Sequence, residues 1–265
     1  MKYGTLTNPS EDVISEIKRI KKFGFDYVEI GIEGPEGTPE ILHKQRKEIV
    51  ALLKEYQMEA IGHTSYWIDL GSDHEAIRKA WVIEAKKCID IAHELGIKLL
   101  NFHGTAYGLY MSKEDSRKMI LDNYVSSFKE LIRYAKKKDV TLMLENNPKR
   151  SSIRKPRDMK YIIDRVPGLL LHLDMGHAFI AGGIECVKEF SVSFKNKIGH
   201  VHIHDNDGEN DIHLPLGEGK VDCKGIVRIL KQIGYNKTIS IEVYTSEEDQ
   251  KQSLNYLWRL WDATN

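Results

Sequence analysis

Leu169-Leu-Leu-His-Leu-Asp174-Met-Gly-His177 decides how this 265-residue chain is read. The run is apolar apart from His172 until it stops at Asp174. Short apolar runs bounded by polar residues read as buried strands. Five more runs end the same way: Ile61-Gly-His63, Asn101-Phe-His103, Leu142-Met-Leu-Glu145, Val201-His202-Ile-His204 and Ile239-Ser-Ile-Glu242. One metal-ligating side chain at one strand tip could be chance. A series of them, always at the same end, implies that those ends converge. Parallel strands in a closed barrel bring their C-terminal ends to one face, where function is placed. The reading is α/β: a single (β/α)8 TIM barrel with parallel strands, carrying a metal site.

Working outward, strand and helix signals alternate along the whole chain. Strands are expected at residues 2–5, 27–31, 59–63, 99–104, 141–145, 169–174, 198–204 and 238–242. Helices are expected at 9–22, 39–56, from an N-cap at Ser72 or Asp73 to 96, from Ser112-x-x-Asp115 to 138, then 157–166, 184–194, 223–233 and 247–261. Each crossover is long enough for a right-handed parallel connection. That makes eight βα units and one domain over residues 1–265. The segments 104–111, 146–155 and 205–222 follow strands and therefore belong to the functional face. A doubly wound open sheet is the alternative, but it usually carries a Gly-rich turn after strand 1, and Asn8-Pro-Ser is not one.

Lys+Arg and Asp+Glu both number 39, so no overall positive field gathers nucleic acid or anionic membrane. Cys88, Cys186 and Cys223 are far apart and odd in number, which fits a reducing cytoplasm and not a disulfide framework. No apolar run reaches the roughly 18 residues of a membrane span, and the N-terminus has no signal-peptide layout.

Glu145, Asp174, His202 and Glu242 form a mixed carboxylate and imidazole set. Hard oxygen with borderline nitrogen suits Zn²⁺ or Mn²⁺, and also Co²⁺ or Mg²⁺. Such a metal acts as Lewis acid or generates hydroxide near neutral pH. Singly, each carboxylate could cap a loop; together at one end they point to a ligand set. His63, His103, His177, Asp211 and His213 are further candidate ligands, so one to three ions are expected. His200, His202 and His204 alternate with apolar residues and share one side of strand 7. They form a ladder, with His202 nearest the metal and His204 at the rim as a substrate contact. Asn147 offers an amide to substrate hydroxyls or simply makes a turn. Tyr66 and Tyr107 are placed to stack on substrate. The turn at Gly217 and Gly219 lets backbone approach a ligand. His43, His74 and His93 fall on helices and read as surface or packing residues. Tyr256, Trp258 and Trp261 read either as a homo-oligomer interface or as barrel packing.

On these residues the chain resembles the xylose-isomerase-like TIM-barrel superfamily, which holds sugar isomerases and epimerases and also endonuclease IV. Leu-Glu145-Asn, Leu-Asp174-Met-Gly-His177, Gly-His200-Val-His202-Ile-His204-Asp205, Leu-Pro-Leu-Gly-Glu-Gly219 and Ile-Glu242-Val carry the resemblance, which runs from strand 2 to strand 8. In the isomerase and epimerase branch it implies one divalent metal on Glu145, Asp174, His202 and Glu242. Glu145 and Glu242 then act as the acid/base pair through a metal-stabilised enediolate of a small sugar or similar hydroxycarbonyl compound. In endonuclease IV it implies a three-zinc cluster on all nine candidate ligands and cleavage of DNA beside an abasic site. Two departures bear on that alternative. The loop after strand 2, Gly31-Ile-Glu-Gly-Pro-Glu-Gly-Thr-Pro39, is acidic where the endonuclease has basic and aromatic residues, and the endonuclease's opening strand-1 signature is missing. A third reading is a barrel that binds metal or metabolite without turnover.

Overall fold

A computed structural model describes residues 1–105, 114–148 and 153–264. Eight strands alternate with eight helices. The first half comprises β1 (Lys2–Leu6), α1 (Val13–Lys22), β2 (Tyr27–Ile32), α2 (Pro39–Tyr56), β3 (Glu59–Thr64), α3 (Glu75–Glu94), β4 (Leu99–His103) and α4 (Glu114–Lys136). The second comprises β5 (Thr141–Glu145), α5 (Pro156–Arg165), β6 (Leu170–Asp174), α6 (Met175–Ser193), β7 (Ile198–Ile203), α7 (Cys223–Gln232), β8 (Thr238–Ile241) and α8 (Glu247–Ala263). The strands close in chain order, all parallel, with β8 pairing back onto β1: a TIM barrel.

Local chemistry sets where the helices start. Thr38 caps α2 by accepting from the Ile41 N–H, and Pro39 opens its first turn. Asp222 and Ser246 cap α7 and α8 in the same way. Helix α1 begins at Val13, later than expected, because the Asp12 side chain accepts the Ser15 N–H at 2.9 Å and fixes the start. Helix α3 begins at Glu75 after His74, whose side chain makes no capping bond, so neither Ser72 nor Asp73 is the cap. The largest departure is α6. It starts at Met175, where Asp174 caps it, and the stretch expected from residue 184 is only its second half. Gly182 and Gly183 have non-helical dihedrals and divide the two halves. Tyr107 and Ser112 lie outside the described residues.

Alternate strand residues face opposite sides. Outward, Val28, Ile30, Leu142, Leu144, Leu171, Leu173, Val201 and Ile203 are fully buried in the apolar cluster shared with the helices. Inward, the lumen is layered. Tyr27, Ile61 and Met143, with Leu99 and Leu170, form a separate apolar floor. Above it the side chains turn polar. Between β6 and β7 the register shifts at Leu171/His172, so that His172 pairs with His200 and Asp174 with His202. His202 in turn pairs with Ser240 on β8, and His103 on β4 with Glu145 on β5.

No helix among the described residues is long and apolar enough to cross a membrane. The three cysteines are buried and free. The C-terminal aromatics make contacts within the chain, Trp258 meeting Tyr3 edge-on at 6.2 Å, Tyr256 abutting Gly217 and Lys231 lying over Trp261, while Trp258 stays 40% exposed.

Candidate functional site

Six strand ends, the first turn of α6 and the segment between β7 and α7 converge at the C-terminal mouth. His63, His103, Glu145 and Asp174 stand at or next to the ends of β3, β4, β5 and β6. Glu242 follows β8, His177 sits in the first turn of α6, and Asp211 and His213 lie in the segment between β7 and α7. Eight of the nine residues expected as metal ligands meet here in a continuous cluster, and the ninth, His202, lies at its base. Glu145 Oε2 is 3.4 Å from His103 Nε2 and 3.8 Å from His63 Nε2; Glu145 Oε1 is 3.4 Å from His177 Nδ1. Asp211 faces three imidazoles, with Nε2 of His213 at 3.1 Å, of His177 at 3.3 Å and of His204 at 3.6 Å. His204 Nε2 is also 3.5 Å from Asp174 Oδ1.

Three of these histidines are oriented alike. Nδ1 of His177 meets the Asn146 carbonyl at 2.9 Å, Nδ1 of His204 the Asp205 carbonyl at 3.1 Å, and Nδ1 of His213 the Glu242 carbonyl at 3.0 Å. A ring N–H donated to a carbonyl leaves the other nitrogen with a lone pair, the arrangement that prepares an imidazole for metal. His202 is held differently. Its Nε2 is 2.7 Å from Glu29 Oε2 and its Nδ1 is 3.0 Å from Glu242 Oε2, so both nitrogens are engaged by carboxylates. His204, expected as a substrate contact, is fully buried among the donors. A Cβ on Gly176 would meet its ring, so glycine there is what admits it.

The residues present suit a divalent metal. Nδ1 of His63 and Nδ1 of His103 are buried without a hydrogen-bond partner among the described residues; Nε2 of His63, His177 and His204 and Oδ2 of Asp174 have only ionic neighbours, at 3.8, 3.3, 3.5 and 3.9 Å. Leaving such groups unpaired in a protein interior is costly. Charge points the same way. Burial favours a neutral Glu145, yet His172 and His103 hold its carboxyl well below the usual range. Burial opposes a charge on His177, and Asp174 and Asp211 overcome it, raising the imidazole well above its ordinary value. His213, likewise opposed by burial, is raised to about 9 by Glu242 and Asp211. His103 goes the other way, to about 4, because burial prevails. The carboxylates thus draw positive charge into the cluster.

A cavity of about 1070 Å³ opens above the donors. His63, His103, His177, Asp211, His213 and Glu242 line its base, with Tyr66, Asn147 and Tyr244 on its walls. Glu145, 1% exposed, lies behind the two histidines of β3 and β4. Glu242 is held from both sides, by His202 and by the Tyr244 hydroxyl, which donates to Oε1 at 2.5 Å. Among the described residues, the outer wall carries Glu11, Glu16, Glu33 and Glu247 against one guanidinium, Arg19. Arg19 is already engaged: its guanidinium grips both Glu16 oxygens at 2.7 and 2.8 Å and reaches Gln250.

Four residues escaped the sequence reading. Glu29 is a lone carboxylate between Val28 and Ile30, and its inward phase on β2 was the available signal. Glu33 sits in the acidic loop noted after β2; burial raises its carboxyl. Tyr244 follows Glu242 by two residues and shares its face. Asp205 organises the loop after β7 by accepting the N–H groups of Asn206, Gly217 and Val221. The turn at Gly217 and Gly219 therefore wraps Asp205, where a ligand had been expected; a Cβ on Gly219 would strike its carboxylate.

The family model described as xylose isomerase-like TIM barrel matches residues 17–260. An uncharacterized protein of Methanocaldococcus jannaschii is 31% identical over 252 residues, covering 91% of this chain and 83% of its own length. A probable endonuclease 4 of Aquifex aeolicus is 25% identical over 273 residues, covering 96% of this chain and 94% of its own. A solved structure of a D-tagatose 3-epimerase-like protein superposes with a TM-score of 0.87 at 29% identity, covering 99% of this chain and 97% of that one.

Proposed function

The chain belongs to the xylose isomerase-like TIM-barrel family, and from that premise we propose that it is a divalent-metal-dependent epimerase or isomerase of a small sugar or related hydroxycarbonyl compound. The observation that carries this reading is Glu242, a carboxylate facing the cavity and braced by His202 and Tyr244. A general base needs such placement within reach of the proton it takes. The acidic outer wall supports a neutral, hydroxyl-rich substrate, because a phosphate backbone would meet Glu11, Glu33 and Glu247 with no unengaged cation among the described lining residues.

Glu145, Asp174, His202 and Glu242 would hold the ion, with Nδ1 of His202 at 3.9 Å from Asp174 Oδ2 and 3.0 Å from Glu242 Oε2, and zinc and manganese suit that donor set best. A bound divalent ion supplies Lewis-acid polarisation of substrate oxygens. Glu242 moves the proton beside the carbonyl. Glu145, the other carboxylate of the expected pair, would return a proton from the opposite face, reaching the chamber past His63 and His103. The Tyr66 ring and the Asn147 amide meet the sugar hydroxyls. The three buried free cysteines suit the cytoplasm as the compartment.

One observation favours a second reading. The nine residues of the endonuclease-type donor set, His202 among them, all lie at the mouth or directly beneath it. That supports a zinc-cluster phosphodiesterase acting beside abasic sites, since several metals can clamp attacking and leaving oxygens. Two measurements on protein purified without added metal separate them. Incorporation of solvent deuterium into a ketose from a panel, at about one ion per chain, is the expected result. About three zinc ions with cleavage of abasic-site DNA and no deuterium uptake would replace the first reading with the second.

A further inference from the structure

Glu33 lies one residue beyond the end of β2, in the acidic loop that the proposed chemistry leaves unused. Ile30 and Ile32 pack into the outer shell, so Glu29 and Gly31 face the lumen. Glu33 carries that side onward to the cavity wall. Gly31 stands level with His63 on β3. It fills no space above that level, and the Glu33 side chain folds back over it, with Oε1 3.6 Å from where a Cβ on Gly31 would stand. The backbone of the turn is fixed. The Glu33 carbonyl accepts the Gly37 N–H at 2.9 Å, and the Glu36 N–H donates to the Pro9 carbonyl at 3.0 Å.

The other carboxylates of the chamber are accounted for. Glu16 is held by Arg19 and by the Asn8 N–H, Glu242 by His202 and Tyr244, and Asp211 by imidazoles. Glu11 and Glu247 are exposed to water. Glu33 is half-buried, yet its side chain makes no hydrogen bond or ion pair among the described residues. Burial pushes its carboxyl up, the His63 imidazole pulls it down, and Glu242 adds to the rise. A shielded acceptor without a donor is costly. A sugar can supply the donor. Glu33 and Glu242 line one chamber, and the charge of one reaches the other. A sugar whose reacting carbon sits at Glu242 therefore extends its next carbons over Glu33.

We propose that Glu33 is a specificity-determining residue, its carboxylate accepting hydrogen bonds from the substrate hydroxyls next to the reacting carbon and so selecting ketoses that carry them over those deoxygenated there. The assignment rests on the epimerase or isomerase reading above. It adds to that reading which part of the sugar is recognised away from the ion and the acid/base pair.

Solvent-deuterium exchange kinetics of the metal-loaded, full-length protein test it. The substrate is the ketohexose of the panel that exchanges fastest, with its monodeoxy analogues beside it. In the natural protein one analogue should lose far more kcat/KM than the others, because a site built around a substrate hydroxyl rejects the analogue lacking it. Glu33→Gln should raise KM for the full ketose about 10–100-fold, the worth of a hydrogen bond to a charged group, with kcat and metal content kept. A contact made equally in ground and transition states moves KM alone. The two losses should not add, so that the variant treats the penalised analogue and the full ketose nearly alike. Additive losses, an unchanged KM, loss of metal from the variant, or equal treatment of all analogues by the natural protein would overturn the assignment and leave the epimerase reading standing. No exchange on any ketose of the panel would overturn both. Should Glu33→Gln not fold, Glu33→Ala carries the same comparison.

Discussion

The two faces of β7 make the sharpest contrast in the molecule. Outward, Val201 and Ile203 pack into the shell of helices. Inward, His200 and His202 meet Glu29 of β2 across the lumen, and His202 also meets Glu242 at the end of the neighbouring β8. Both faces are fully buried, and both belong to the same six residues. The outward face is stabilised by apolar area removed from water, which is non-directional and tolerant of exchange. The inward face depends on partners at defined distances, because an unpaired buried polar group is penalised in full. Stability and chemistry thus divide between the two sides of the sheet.

Substitutions on each side can break that division. Glu242→Gln should lower turnover by about 10²–10⁴-fold, the usual worth of a positioned acid/base, in protein that still folds. A rate near that of the natural protein would remove Glu242 from the proton-transfer step. On the shell side, Phe128 is fully buried and packs edge-on against Phe102 at 6.1 Å. Phe128→Ala should cost about 3–5 kcal/mol in denaturant unfolding and leave the metal count of the folded fraction unchanged. Loss of metal without loss of stability would contradict the separation. Asp205→Ala lies between the two regions. It strips three backbone N–H groups of their acceptor, with a cost of about 1–3 kcal/mol for each buried group left unsatisfied. Elemental analysis should also show weaker metal retention, because Asp211 and His213 ride on that loop.

The smallest effect is expected far from the mouth. Asp12→Ala should cost about 1 kcal/mol as a lost N-cap. The Ser15 backbone N–H, the leading influence on the Asp12 carboxyl, holds it below its ordinary value. A depressed carboxylate stabilises the fold above its unfolded pKa and ceases to do so as pH falls through the folded one. The gap between natural and Asp12→Ala proteins, measured by urea unfolding, should therefore close in acid. A gap that widens in acid would rule out the cap.

Much of this was legible in the chain. The strand tips show as apolar runs ending in His, Asp or Glu, and that sufficed for barrel closure and for most of the donors. The choice between His202 and His204 was not legible. The register sets His202 level with Asp174, while His204, just past the end of β7, also reaches Asp174 and Asp211, and only the closed barrel brings both to the donors. The start of α6 was hidden because Asp174 is at once the last residue of a strand and the cap of a helix. Glu29 was missed because a lone acidic residue in an apolar run has no visible partner until β2, β7 and β8 are closed around it.

Asp205 has a consequence for how this protein can vary. Its carboxylate ties down the loop on both sides of the tip, through Asn206 before it and Gly217 and Val221 after it. A further antiparallel bridge joins Asp205 to Leu214. Residues 207–210 project from that clamp as a half-buried to exposed turn close to the cavity. Their identity can be exchanged while the clamp keeps Asp211 and His213 in place, which makes this tip the natural point of entry for redirecting substrate preference by loop grafting.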